Sequence, residues 1–408
     1  MNRLISYYGD DFTGSTDVME ALASHGVATV LFTRIPTETE FAPFAECEAI
    51  GLAGTSRSQT PEWMDAHLPD AFAWLSSLQA RFCHYKVCST FDSSPRIGSI
   101  GRAVELGLSA FGQKRATVIV GAPQIRRYTF AGHLFAAYQE KTYRIDRHPV
   151  MSVHPVTPMD ESDLLRHLAR QAATAIDLFD VYDSATQLLA GEALLHLPQE
   201  NSPFVVGSSG VEYALMAALM KRPTAHFSAV APASQMLVIS GSVSPTTERQ
   251  INYATAQGFH AIPADAEALA RGQIEPVLGQ ARDVLGQGKS VVIHSASGPA
   301  SDQGKALQTI HHGRETLSKS LGQIAKKLLE EFYLKRLIIA GGDTSSHALG
   351  ELDIYALTTR FPLLATPGSP LCLAHSSNPI FNGLEIAMKG GQVGGDDYFV
   401  KLKNGSGV

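Results

Sequence analysis

Short apolar runs that lead into polar turns and then into helical segments recur along this chain of 408 residues. In the first example, an apolar and aromatic run at 3–8 precedes the turn at 9–17, and apolar residues at helical spacing continue to Gly26. The run at 116–121 lacks polar alternation, as is typical of parallel strands buried on both faces. This order of elements predicts an α/β fold with mostly parallel sheets flanked by helices.

Length and composition predict two domains. A chain of 408 residues is longer than one core usually organises, and its 44% hydrophobic and 18% charged residues are typical of globular proteins. The composition shifts to proline, alanine and serine near 226–234, which we interpret as a linker. We therefore predict an N-terminal domain at 1–225 and a C-terminal domain at 235–408.

Charge and cysteine usage exclude several classes of partner. The formal net charge is −6 and no block of basic residues occurs, so nucleic acid is not an expected partner. The four cysteines form no Cys-x-x-Cys pair, which favours reduced thiols over a metal finger. No apolar run is long enough to cross a bilayer and no secretion signal is recognised, so we expect a cytoplasmic protein without a membrane partner.

Two adjacent carboxylates, Asp10 and Asp11, lie in the turn at 9–17 together with glycines and hydroxyl residues. Asp11 could simply cap the helix that follows. Two neighbouring carboxylates, however, raise each other's pKa unless a cation or a proton-donating ligand balances them. Because a turn at the carboxyl end of a strand faces the ligand crevice of an α/β sheet, we interpret this turn as part of a functional site.

The N-terminal half contains two further candidate segments. One follows another strand end and carries a set of polar side chains, Lys86, Ser89, Thr90 and Asp92. The other, Arg126-Arg127, follows the buried run at 116–121 and suits a carboxylate or a phosphate. A solvated loop and a surface arginine pair remain the alternative interpretations of these segments.

Two later segments are predicted to be helices. Residues 160–173 begin with Asp160, a favourable N-cap residue. In 314–332, apolar residues recur on one helical face, namely Leu317, Leu321, Ile324, Leu328 and Phe332.

Three glycine-containing turns characterise the C-terminal half, namely Ser240-Gly241-Ser242, Gly341-Gly342-Asp343-Thr344 and Lys389-Gly390-Gly391. None matches the Walker A pattern, and none matches the glycine pattern and acidic residue of a Rossmann site. Each turn alone could be purely structural. Together, their backbone N–H groups and hydroxyls predict a phosphate or nucleotide site.

These motifs resemble those of the four-carbon acid sugar kinases, which phosphorylate threonate, erythronate or 3-oxo-tetronate. The shared motifs are Gly-Asp-Asp-Phe-Thr-Gly-Ser-Thr-Asp at 9–17, Lys-x-x-Ser-Thr-x-Asp-Ser at 86–93, Ser-Gly-Ser-x-Ser at 240–244, Gly-Gly-Asp-Thr-Ser at 341–345, Gly-x-Pro-Leu-Cys at 368–372 and Lys-x-Gly-x-x-Gly at 389–394. The resemblance extends over nearly the whole chain and keeps the order of the motifs. This chain departs from many members in the substrate half, with Cys88 where they have aspartate and Arg126-Arg127 where they have Gly-Arg.

The resemblance implies an N-terminal domain that holds the acid sugar, a C-terminal domain that holds ATP with Mg²⁺, and an active site in the cleft between the domains. Asp10 or Asp11 would be the catalytic base, and no metal ligand is assigned. Substrate contacts would come from Thr13, Lys86, Ser89, Thr90, Asp92 and Arg127. Nucleotide contacts would come from Ser240, Gly241, Ser242, Gly341, Gly342, Asp343, Thr344, Lys389, Gly390 and Gly391.

The expected reaction is transfer of a phosphoryl group from ATP to the terminal hydroxyl of a four-carbon sugar acid. A kinase for a larger acid or a polyol is one alternative, because both departures lie in the substrate half. A kinase-derived sensor that binds without turnover is another. A homodimer is also kept open as an expectation.

Overall fold

The computed structural model describes residues 3–154, 156–198, 201–220, 226–307, 309–363 and 366–405, except for the side chains of Lys305 and Asp343. Contacts divide the chain into two compact units, residues 1–225 and residues 226–408. The segment 226–234, interpreted above as a linker, forms part of the second unit. There the backbone N–H of Ala233 donates to the carbonyl of Lys403 at 2.8 Å.

The first unit is built around a parallel sheet. Its strands are β1 (Ile5–Gly9), β2 (Thr29–Phe32), β3 (Ala49–Ala53), β4 (Phe82–Lys86), β5 (Arg115–Ile119), β6 (Arg127–Phe130), β7 (His133–Tyr138), β8 (Lys141–Arg144), β9 (Ala175–Phe179) and β10 (Phe204–Gly207). In the main sheet the order is β2-β3-β1-β4-β10-β5-β9 with all pairs parallel, while β6, β7 and β8 form a small antiparallel sheet. Its helices are α1 (Phe12–Ser24), α2 (Glu38–Phe41), α3 (Pro61–Ser77), α4 (Ile100–Ala110), α5 (Leu164–Ala169), α6 (Ser184–Leu195) and α7 (Gly210–Ala218).

The second unit has a mixed sheet. Its strands are β11 (Leu237–Ser240), β12 (His260–Pro263), β13 (Val291–His294), β14 (Arg336–Ala340), β15 (Ile354–Phe361), β16 (Leu371–Ser376) and β17 (Glu385–Lys389). Their order is β12-β13-β11-β14-β17-β16-β15, parallel from β12 to β17 and antiparallel thereafter. Its helices are α8 (Pro245–Ala256), α9 (Ala266–Ala270), α10 (Glu275–Gly286), α11 (Gly304–Leu307), α12 (Gly313–Phe332), α13 (Gly342–Leu349) and α14 (Tyr398–Asn404).

The predicted α/β architecture is confirmed. The strands β1, β3, β4 and β14 are buried along their whole length, as is typical of parallel strands that are covered on both faces. Helix α1 begins after Asp11, whose side chain accepts a hydrogen bond from the N–H of Gly14. It ends before Gly26, whose φ of 79° is the left-handed conformation that glycine adopts most easily.

One prediction in the first unit was wrong in detail, and one feature was missed. The helix expected at 160–173 is the shorter α5, and its N-cap is Asp163, whose side chain accepts from the N–H groups of Leu165 and Arg166. Asp160 instead lies on the surface and pairs with Arg170 at 2.8 Å. The small antiparallel sheet was not predicted, because its strands are short and only partly buried.

The helices of the described residues include none that combines the length and the apolar character needed to cross a membrane.

Candidate functional site

In the first unit, the carboxyl ends of β3, β1 and β4 lie side by side. Gly9, the last residue of β1, is paired in register with Ala53 on one side and with Lys86 on the other. The acidic turn after β1 is also hydrogen-bonded to the end of β4, because the N–H of Asp10 donates to the carbonyl of Lys86 at 2.9 Å. The acidic turn, the loop after β3 and the loop after β4 therefore meet at one edge of the sheet.

Asp11 is held by two neighbours. Its Oδ1 accepts from the N–H of Gly14 at 2.5 Å, as an N-cap does. Its Oδ2 accepts from Nη1 of Arg57 at 3.0 Å. Both oxygens of Asp11 are therefore occupied by the protein itself.

Asp10 differs from Asp11 in having no such partners. The residue is only 4% exposed, and its Oδ1 is buried without a hydrogen-bond partner among the described residues. Burial and the negative charge of Asp11 raise the pKa of Asp10 to about 8, although Arg57 and Lys86 act in the opposite direction. Asp10 therefore exchanges its proton near neutral pH.

Arg57 joins the acidic turn to the loop after β4. Its Nη2 donates to both oxygens of Asp92, at 3.1 and 3.0 Å, in addition to the bond from Nη1 to Asp11. Burial alone would raise the pKa of Asp92, but Arg57 and the hydroxyls of Thr90 and Thr157 contribute to lowering it to about 2. Asp92 is therefore a stable carboxylate.

Lys86, the last residue of β4, is buried close to the aspartates of this site. The residue is 2% exposed, and its Nζ donates to the carbonyl of Val87 at 2.9 Å and lies 3.5 Å from Oδ2 of Asp17. Burial alone would lower the pKa of Lys86, but the carboxylates of Asp17 and Asp10 raise it. Lys86 therefore carries a positive charge that balances the surrounding aspartates.

Three further residues that were predicted to contact the substrate lie in the turn at 9–17 and in the loop after β4. Thr13 is half-buried in the first turn of α1, and Ser89 is half-buried in the loop after β4. The hydroxyl of Thr90 donates to Asp92 at 2.5 Å and lies 2.9 Å from Sγ of Cys88. The structure thus brings the predicted residues of these two segments together.

Arg127 begins β6 and differs from its neighbour Arg126. Arg126 is exposed and has a left-handed φ of 56°, so the two side chains do not form the surface pair that was the alternative interpretation. Arg127 Nη1 donates to the carbonyl of Ile125 at 3.1 Å, but its Nε is buried and lacks a hydrogen-bond partner. Burial lowers the pKa of Arg127, and its charge interacts with Cys88 in the loop after β4. No carboxylate of the described residues pairs with this guanidinium.

In the second unit, the three glycine turns follow β11, β14 and β17, which are neighbouring parallel strands. The N–H of Gly241 donates to the carbonyl of Ala340 at 3.1 Å, and the N–H of Gly341 donates to the carbonyl of Lys389 at 2.9 Å. A Cβ on Gly391 would lie 3.1 Å from the hydroxyl oxygen of Ser242. All three turns therefore contact one another at the carboxyl edge of this sheet.

Hydroxyl groups line these turns. Thr247 Oγ1 donates to Ser242 Oγ at 3.0 Å, and Ser240 and Thr344 are buried in the turns after β11 and β14. A Cβ on Gly241 would overlap the hydroxyl oxygen of Thr344, which explains the requirement for glycine there.

Lys389 is the cation of this region. It is 0% exposed, and its Nζ donates to Thr247 Oγ1 at 3.0 Å. Burial lowers the pKa of Lys389 to about 7. Among the side chains that the structure describes, no carboxylate pairs with it, so an anionic ligand would supply the missing counter-charge.

The glycines leave room for a ligand. Gly341 adopts a φ of 117°, and a Cβ on Gly342, the first residue of α13, would meet no atom within 4 Å. A Cβ on Gly390 would meet only the side chain of Val393 in that range, at 3.5 Å. The side chain of Asp343 lies outside the described part of the chain.

The described residues contain no group of three or more histidine, cysteine, aspartate or glutamate side chains placed to hold a metal ion.

Comparison with known proteins also distinguishes two parts of the chain. Residues 5–244 match a family model described as a sugar-binding N-terminal domain, and residues 237–399 match a nucleotide-binding C-terminal domain. A 3-oxo-isoapionate kinase of Paraburkholderia graminis is 40% identical over an alignment that covers 98% of this chain and 94% of that protein. The chain belongs to the four-carbon acid sugar kinase family.

Other members of the family are more distant. A 3-oxo-tetronate kinase of Cupriavidus necator is 28% identical, with 97% of this chain and 95% of that protein covered. Among solved structures, a putative tRNA synthase of Salmonella typhimurium LT2 superposes with a TM-score of 0.74 at 24% identity, covering 98% of both chains. A Haemophilus influenzae protein gives a TM-score of 0.68 at 22% identity, covering 97% of this chain and 98% of that one. At such identities these two structures support the shared fold alone.

Some residues of these candidate sites were missed by sequence reasoning. Arg57 lies in a polar loop directly after the third strand, so its position at a strand end was the available signal. Asp17 belongs to the acidic motif itself, and Thr247 lies in the first turn of α8, just after the turn that follows β11. Their partners, Lys86 and Lys389, are distant in sequence, so the pairings became visible only in the fold.

Proposed function

We propose that this chain is an ATP-dependent kinase that phosphorylates the terminal hydroxyl of a 3-oxo sugar acid. The observation that carries the proposal is Asp10, a buried carboxyl group without a hydrogen-bond partner on Oδ1, at a strand end of the unit matched by the sugar-binding model. Such a group is suited to orient a substrate hydroxyl and to accept its proton. The 40% identity to a 3-oxo-isoapionate kinase, against 28% to a 3-oxo-tetronate kinase, makes an isoapionate-type acid the preferred candidate.

Asp10, rather than Asp11, is the base in this proposal. Asp11 is used as a helix cap and as a partner of Arg57, so each of its oxygens already accepts a hydrogen bond from the protein. A base with a pKa near the working pH combines sufficient deprotonation with sufficient proton affinity. The pKa of Asp10, raised to about 8, satisfies this condition.

Arg127 is the candidate for the substrate carboxylate. Its buried Nε lacks a partner in the described part of the chain, and a guanidinium can bind a carboxylate through two parallel hydrogen bonds. Lys86 was expected to share this task. Its pairing with Asp17 instead favours a role in balancing the negative charge of the nearby aspartates. Thr13, Ser89 and Thr90 would contact substrate hydroxyls.

The glycine turns of the second unit would hold ATP. Their backbone N–H groups and the hydroxyls of Ser240, Ser242 and Thr344 are donors for phosphate oxygens, and the amine of Lys389 would gain a counter-charge from them. Mg²⁺, when bound to the phosphates, supplies further neutralisation of their charge. The protein contributes positioning, because phosphoryl transfer needs an attacking hydroxyl in line with the bond that breaks.

A substrate panel tests the proposal. Purified protein with ATP and Mg²⁺ is offered 3-oxo-isoapionate, 3-oxo-tetronate, threonate, erythronate and the neutral polyol erythritol, with ADP release and product mass as readouts. We expect the highest kcat/KM with a 3-oxo acid and at least a tenfold lower value with erythritol, because only acids can use Arg127. A preference for erythritol would support a polyol kinase. Binding of an acid without any phosphorylated product would support a sensor.

A further inference from the structure

Arg57 contacts three aspartates, which lie on two other segments of the first unit. It lies in the short helical turn Ser56–Ser58 that follows β3. Its guanidinium binds Asp11 through Nη1 and Asp92 through Nη2, and its backbone N–H donates to the carbonyl of Asp10 at 3.1 Å. The side chain is 28% exposed, so most of its surface is occupied by these neighbours.

The charges around Asp10 show why this arginine matters. Asp11 on the same turn, Asp92 from the loop after β4, and the burial of the site all disfavour the ionised form of Asp10. Arg57 from the β3 turn and Lys86 from β4 favour it. The phenol groups of Tyr8 and Tyr85, which stack at a centroid distance of 5.8 Å, also interact with Asp10.

Lys86 and Arg57 differ in the other residues that they bind. Lys86 is paired with Asp17 and contacts the carbonyl of Val87, so its position is fixed without Asp11 or Asp92. Arg57 is the residue that binds both of these aspartates. Without it, Asp11 and Asp92 would lose their shared partner, and two unbalanced carboxylates would remain beside Asp10.

We propose that Arg57 is a positioning residue for phosphoryl transfer, which holds Asp11 and Asp92 as bound carboxylates and leaves Asp10 as the carboxyl group that accepts the substrate proton. The inference rests on the proposed function, since it assigns Arg57 a task in that reaction. Arg57 acts through the three aspartates and not through contact with the substrate.

The pH dependence of kcat/KM in Arg57→Gln tests this role. Removing the positive charge takes away an interaction that lowers the pKa of Asp10, so the acid limb of the profile moves to higher pH by about one unit. We expect kcat at about pH 7.5 to fall roughly 100-fold, while KM for the acid changes less than about threefold. Arg57→Lys keeps the charge but can bind only one aspartate well. It should therefore return the acid limb to its wild-type pH and recover only part of kcat.

Arg102→Gln is the matched control. Arg102 also binds two carboxylates, Asp65 at 2.6 Å and Glu105 at 2.7 Å, but on the surface of α3 and α4. Its removal should leave kcat, KM and the pH profile unchanged. A similar loss of kcat in Arg102→Gln would show that the effect of Arg57 is only structural.

Three results would overturn the inference. An unshifted acid limb in Arg57→Gln is one, and a rise in KM with normal kcat, which would indicate direct substrate contact, is another. Arg57→Lys supplies the third, which also covers the case in which Arg57→Gln does not fold: full kcat with an unchanged pH profile in Arg57→Lys. Failure of the wild-type protein to phosphorylate any acid would instead contradict the proposed function. In that case ¹³C NMR titration of aspartate-labelled protein, with Asp10→Asn for assignment, still reports whether Arg57 lowers the pKa of Asp10.

Discussion

The two units hold their buried ionisable groups in opposite surroundings. In the first unit, Asp10 lies among charged side chains, with Asp11, Arg57 and Lys86 acting on it. In the second unit, Lys389 lies among glycines and hydroxyls, and no described carboxylate pairs with it. The first arrangement surrounds the proposed proton acceptor with charges of both signs. The second leaves a cation unbalanced, as a site for a polyanion would.

This difference gives the two groups opposite effects on stability as pH changes. The pKa of Asp10 is raised to about 8, so the stability that its protonated form contributes is complete below about pH 4 and is lost as pH rises to about 8. The pKa of Lys389 is lowered to about 7, so the cost of burying its charge is largest below about pH 7 and disappears as pH approaches about 10.5. Stability measurements can therefore separate the two sites without any assay of activity.

Asp10→Asn should have the largest effect of the substitutions considered. Asparagine resembles the protonated acid in shape but cannot accept the proton, so we expect kcat to fall by about 10²- to 10⁴-fold. The variant should also be more stable than the wild type, by about 1–3 kcal/mol at about pH 9, and only slightly more stable at about pH 5. Thermal unfolding at both pH values, together with ADP release, checks both expectations.

Asp11→Asn is the control for this substitution. Asparagine still caps α1, but it loses the charge that pairs with Arg57, so we expect a loss of about 1 kcal/mol. Equal losses of kcat and equal changes in stability in the two variants would remove the distinction between Asp10 and Asp11.

The second prediction concerns Lys389 and proton uptake. At about pH 8 most of the Lys389 amine is neutral, and bound phosphates should raise its pKa, so ADP binding should take up close to one proton. Calorimetry in Tris and in HEPES measures this uptake, since the two buffers differ in their heat of ionisation. Lys389→Met should abolish the uptake and raise KM for ATP by about tenfold or more.

The matched control is Lys327→Met. Lys327 lies on the surface of α12, with its Nζ 3.2 Å from Glu275, so its loss should alter neither proton uptake nor KM. Proton uptake that persists in Lys389→Met would contradict the role given to this lysine and would weaken the contrast between the two units.

The fold of both units was largely predictable from local sequence. Strands such as β3 and β14 follow from continuous apolar runs, and α1 follows from Asp11 at its start and Gly26 after its end. The error at α5 has a local cause, because Asp160 and Asp163 are both good caps and only Asp163 bonds to the N–H groups of the helix. Short strands with polar residues, such as β8, carry too weak a pattern to be predicted.

The candidate sites were predictable as sets of segments but not as pairings. Strand ends with polar turns indicated where the residues would gather, because parallel strands share one carboxyl edge. Which carboxylate was bound and which was left without a partner depended on Arg57, 46 residues from Asp11 in sequence. Burial of Lys389 against Thr247 likewise depends on contacts 142 residues apart.

The smallest expected effect comes from Gly391→Ala, which tests the assignment of the glycine turns. The new Cβ would lie 3.0 Å from Cβ of Ser244 and 3.1 Å from Oγ of Ser242, so the turn must shift by a few tenths of an ångström. We expect KM for ATP to rise by about three- to tenfold and KM for the sugar acid to stay unchanged, because only the second unit is altered. Gly279→Ala, within α10 and with no atom within 4 Å of its Cβ, should leave both KM values unchanged and stabilise the protein by about 0.5–1 kcal/mol. A change in the acid KM of Gly391→Ala with ATP unaffected would place substrate recognition, and not nucleotide binding, at these turns.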